Sequence, residues 1–118
     1  MIVRSYPMWK NNLFNMPSIK VRIDKFIRDG QPGFVECSFT DAWGTRHIMQ
    51  DKVPIFTAKD LCANSVYPQE GIVACEVVKK WRDKEGRLIF TVDTERPWGV
   101  DSLEGLTQFD LLDLELLE

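Results

Sequence analysis

From residue 19 onward, apolar positions recur every second residue. Ile19, Val21 and Ile23 alternate with Lys20, Arg22 and Asp24, the pattern of a half-buried strand. The phase slips where Phe26 and Ile27 are both apolar, so a bulge is expected near Lys25. Asp29-Gly30-Gln31-Pro32-Gly33 is turn chemistry, and Val35, Cys37 and Phe39 then alternate with Glu36 and Ser38 in a second strand. A turn at residues 41–45 leads to a third strand over residues 46–56, with Met49, Val53 and Ile55 inward. Glycine-bearing links between these runs predict a meander.

Thr57, with Asp60 three residues on, has the form of a helix start, and Asn64, Ser65 and Pro68 limit that helix to about two turns. Residues 72–81 form the strongest strand, apolar on both faces in its first half and therefore central. A charged hairpin at residues 82–87 returns the chain into Leu88, Phe90 and Val92. Residues 94–105, with Pro97, Gly99 and Gly105, form an exposed loop, and a strand runs to about Leu112. The fold expected is mainly β with a short helix, a small antiparallel, partly open barrel or sandwich of five to six strands. Residues 1–18 hold two Pro, three Asn and no periodicity and read as an N-terminal arm; residues 19–118 form the β domain.

Composition narrows the class. With 118 residues, 44% hydrophobic and 28% charged, the chain suits one globular domain rather than a disordered or fibrous one. Its longest uninterrupted apolar stretch is four residues, far below a membrane span. Cys37, Cys62 and Cys75 are odd in number and widely spaced, unlike a secreted disulfide scaffold, and the first twenty residues lack a leader's apolar segment. A cytoplasmic setting is expected.

The net charge of −3 is unevenly distributed. Residues 1–28 carry six basic groups against Asp24, net +5, and residues 93–118 carry eight acidic groups against Arg96, net −7. Two readings compete. Either the first and last strands are neighbours and their charges pair, or the acidic end is a docking surface for a basic partner.

Chemistry is sparse. The lone His47 sits in a strand, no nucleophile motif surrounds any Ser or Cys, and three scattered Cys with one His lack zinc spacing. No phosphate-binding glycine pattern occurs, and neither a cofactor nor a metal is expected. The enzymatic alternative is an acid–base or ligand-binding barrel using Asp93, Glu95, Arg96 and His47, with the carboxylates two positions apart. A second alternative binds single-stranded nucleic acid through the basic strand 20–28, where Lys20, Arg22 and Lys25 accompany Phe26; the pI near 5.2 argues against it.

Four Trp remain to be placed, two of them beside glycine in loops as Trp43-Gly44 and Trp98-Gly99. Trp is the side chain most often found anchoring interfaces. The reading is therefore a non-catalytic binding protein, of bacterial inhibitor, immunity or adaptor type, docking a protein partner with a basic surface. Its site would comprise Trp98, Trp43, Glu95, Arg96, Asp101 and Glu104. No membrane partner is expected, and a homodimer is compatible with the sequence.

Overall fold

The computed structural model describes residues 16–117, so the expected arm lies almost wholly outside the described residues. Strand β1, Ser18–Arg28, buries Ile19, Val21 and Ile23 and turns Lys20 and Arg22 outward, as the alternation requires. The register against β2, Phe34–Thr40, shifts between Ile23 and Lys25 and again between Phe26 and Arg28, where the apolar phase slips. Strand β3, Arg46–Lys52, pairs with β2 over its full length.

Two expectations shift in register along the chain. The third strand stops at Lys52, and a single turn of helix, α1 (Val53–Phe56), follows it. Pro54 explains the break: it lacks an N–H for a ladder and suits the first helical turn. Thr57 consequently closes this helix, its N–H donating to the Val53 carbonyl at 3.2 Å, and does not open a later one.

The expected central strand over 72–81 is divided. Strand β4, Gln69–Ala74, pairs with β1, whereas β5, Glu76–Arg82, pairs with β6, Leu88–Asp93. Cys75 stands between them, where the chain passes from one sheet to the other. That corner explains why residues 72–75 are apolar on both faces. Strand β7, Gln108–Leu112, completes the smaller sheet, and after a 3₁₀ turn at Asp113–Glu115 the two-residue β8, Leu116–Leu117, pairs with the start of β1. The division at Cys75 and this last short strand raise the count to eight among the described residues.

The result is a mostly β structure of two antiparallel sheets, ordered β3-β2-β1-β4 with β8 beside β1, and β5-β6-β7. It is not closed into a barrel. At the seam between the β3 and β7 edges, two isolated bonds span the sheets: Ala42 N–H to the Asp110 carbonyl at 2.8 Å and Leu103 N–H to the Ile48 carbonyl at 2.9 Å. The core joins Ile19, Val35, Met49 and Val73 of one sheet to Val92, Phe109 and Leu111 of the other, with Phe56 of α1 fully buried.

Candidate functional site

Residues 94–105 leave β6 and return to β7, and their backbone is framed by short internal bonds. Buried Thr94 donates its N–H to the Thr107 carbonyl at 2.8 Å and its hydroxyl to the Val100 carbonyl, and it accepts the Val100 N–H at 3.1 Å. Ser102, also buried, accepts the Leu106 N–H on its hydroxyl at 3.1 Å. Gly99, at φ 66°, supplies the left-handed residue that lets its N–H reach the Glu95 carbonyl at 2.9 Å. With Thr94, Val100 and Ser102 turned inward, Glu95, Arg96, Asp101 and Glu104 are exposed. Trp98 differs from its neighbours: it is half-buried and packs against the core.

The carboxylates of this end of the chain fall into two groups. Asp93 accepts the Glu95 N–H at 2.8 Å and the Gln108 amide at 3.3 Å; the backbone bond, with the amide assisting, holds its carboxyl below the usual range. Asp110 accepts two side-chain donors, and Glu115 accepts the Leu112 N–H at 2.8 Å. Burial nevertheless pushes the Glu115 carboxyl up. Glu95, Asp101, Glu104 and Asp113 are exposed, and none forms a side-chain hydrogen bond or ion pair among the described residues.

Strand β8 does lie on β1, with Ser18 opposite Leu117 and Ile19 opposite Leu116. The charges nonetheless find other partners. Arg22 donates to Asp24 at 2.6 Å, Lys25 approaches Glu36 at 3.9 Å, and Arg28 sits over the Phe34 ring at 4.0 Å. Three of the four cations of β1 are thus engaged within their own sheet, Lys20 has no such partner among the described residues, and the exposed C-terminal acids pair with none of the four.

The four residues of the enzymatic alternative are not brought together in either of two surface cavities. An open cleft of about 940 Å³ lies where β1 changes partner from β2 to β8, and Lys20, Arg22, Phe39, Phe56, Glu70 and Leu114 are among its walls. A smaller one of about 470 Å³ lies against Lys25, Phe26 and Tyr67. Asp93, Glu95, Arg96 and His47 line neither. His47 is instead buried between Phe39 and Phe109, with ring centroids 5.3 and 4.8 Å away. Its Nε2 lies 2.7 Å from Asp41, which also accepts the Trp43 and Thr45 N–H groups at 2.9 Å each. Burial alone would raise the Asp41 carboxyl, but the bonds from His47, Thr45 and Trp43 outweigh it and hold the pKa below the ordinary value. This arrangement ties the β2–β3 turn to the core.

That turn displays Trp43, 49% exposed. Its indole N–H donates to Asp110 at 3.1 Å, while Trp81 on β5 donates to Thr91 at 3.0 Å and Thr91 donates to Asp110 at 2.6 Å. One carboxylate therefore holds both indoles, whose rings are 6.2 Å apart and tilted by 40°. Arg87 stands 5.4 Å over the Trp43 ring and Lys79 5.3 Å over the Trp81 ring. Sequence reasoning found Trp43 and missed Trp81, Lys79, Arg87, Thr91 and Asp110. The available signal was the shared face: Lys79 opposes Thr91 and Thr91 opposes Asp110 across the sheet.

Among the described residues, no group of three or more His, Cys, Asp or Glu is placed to hold a metal ion, and no helix is long and apolar enough to cross a membrane. Burial, reinforced by Asp24, Glu36 and Asp51, pushes the Cys37 thiol far up, which makes it a poor nucleophile. Compared with protein-family models, curated proteins and solved structures, the chain matches none.

Proposed function

We propose that the protein is a non-catalytic cytoplasmic binding protein, of inhibitor, immunity or adaptor type, that docks the basic surface of a protein partner through residues 94–105. The observation that supports this reading is the set of exposed carboxylates at Glu95, Asp101 and Glu104, left without a partner among the described residues although β1 and β8 are ladder neighbours. A framed backbone presents them at little ordering cost, since the scaffold holds the loop before any partner arrives. Such a patch accelerates encounter with a basic surface, and salt weakens it over a Debye length of about 10 Å. Trp98 contributes only its outer edge, the rest being packed on the core. Trp43 stands outside this loop, in the β2–β3 turn.

Affinity capture from the native cell tests the reading, comparing wild type with the triple variant Glu95→Gln/Asp101→Asn/Glu104→Gln. The expectation is capture of a protein with a basic surface, weakened by salt and reduced about tenfold or more in the variant. Equal capture by both proteins would remove the loop from the interface.

A further inference from the structure

We propose that the face carrying Trp43 and Trp81 binds single-stranded nucleic acid, a site separate from the acidic loop. Three observations converge there. First, both indoles are set in place by the Asp110 network, so Trp43 is half-exposed in a fixed orientation. A ring held in that way offers π-surface to a base without an ordering penalty. Second, Arg87 and Lys79 flank the two rings. Arg87 bonds Asp83 through Nε at 2.8 Å and approaches Glu85 at 3.6 Å through the same nitrogen, while its terminal nitrogens carry no hydrogen bond among the described residues. Lys79 is exposed and unpaired among them. Third, this stretch of the sequence is opposite in charge to the whole chain: residues 79–87 hold five basic groups against Asp83 and Glu85, net +3, with Lys79 and Arg87 at the rings and Lys80 over Phe90.

A single strand supplies what this face lacks, a phosphate for each cation and a flat ring for each indole. The acidic overall charge does not forbid it, because exposed charges beyond about 10 Å are screened at ordinary salt. The cations are presented by β5, an outer strand of its sheet, and by the hairpin that follows it. The expected occupant is sequence-tolerant, since the site offers stacking and charge rather than base-edge readout.

The test is fluorescence anisotropy of labelled (dT)20 with the full chain at rising salt. Binding should weaken steadily with salt. Trp43→Ala should weaken it about tenfold or more, with Trp43→Phe recovering part of the loss. Lys79→Gln, an exposed change that leaves the fold intact, should weaken it about threefold and lower the salt dependence, whereas Lys59→Gln should do neither. Competition by unlabelled (dT)20 but not by polyglutamate completes the expected result. Absence of binding at 50 μM protein in low salt would overturn the proposal. So would equal binding by Trp43→Ala, or full competition by polyglutamate, either of which would mark simple polyanion attraction.

Discussion

The loop 94–105 and the Trp43–Trp81 face each bond across the seam between the β3 and β7 edges, and they are built in opposite ways. In the loop, buried Thr94, Val100 and Ser102 hold a backbone whose exposed side chains contact little else. In the Trp face, the exposed Trp43 ring and the half-buried Trp81 ring are themselves held, by a carboxylate on β7 and a hydroxyl on β6. The loop therefore offers charge with mobile ends, and the face offers fixed aromatic surface. Charge that is free to adapt favours rapid encounter, while pre-set rings favour slow release. It follows that mutations should separate the two: changes to the loop's exposed charges alter association and leave stability alone, and changes to the rings of the face alter both.

The strongest test removes the support of the Trp43 turn. Asp41→Ala deletes the acceptor of His47, Trp43 N–H and Thr45 N–H together, and should cost roughly 3 kcal/mol, as loss of a buried polar partner does. Urea unfolding measures it. The same variant reports the pH effect. Because the folded pKa of Asp41 lies below the ordinary value of about 3.9, its stabilisation is complete above that value. As pH falls below 3.9 the unfolded chain takes up the proton first, and the contribution is lost through the folded pKa. The stability gap between wild type and Asp41→Ala should therefore shrink as pH falls from about 4 toward 2.5. A gap that stays constant down to pH 2.5 would show that the ionised carboxylate is not what His47 and the turn require.

An intermediate effect separates the two tryptophans. Trp98 packs against the core, so Trp98→Ala should lower stability by about 2 kcal/mol. Trp43→Ala should cost about 1 kcal/mol, since the ring is half-exposed and forfeits one hydrogen bond. Reversal of that order in denaturant midpoints would exchange the roles assigned to the two rings.

This ordering shows what the sequence made legible. The strands from 19 to 52 could be read because one face is buried and the period of two survives. The helix is not legible because Pro54 lies inside a run that continues the strand pattern, although its fixed backbone suits a helix start. The break at Cys75 is not legible because a corner between sheets and a doubly buried strand both leave apolar residues on each side. The exposed acids of the loop were legible as a charge run, since nothing distant is needed to define them. The Trp face was not, because Trp43, Trp81, Thr91 and Asp110 come from four segments that only the register brings together.

The smallest effect is a null in stability. Glu95→Gln/Asp101→Asn/Glu104→Gln should shift the unfolding free energy by under about 0.5 kcal/mol, because these carboxylates carry no ion pair among the described residues. A larger loss would show that the loop's charges support the fold.

Hydrogen exchange on the complex with the captured partner tests the central claim most directly. Docking through the acidic loop predicts added protection in residues 94–105, with the exchange of residues 79–87 unchanged. Protection confined to residues 79–87, or to the cleft walls at Lys20 and Leu114, with none added in residues 94–105, would contradict it.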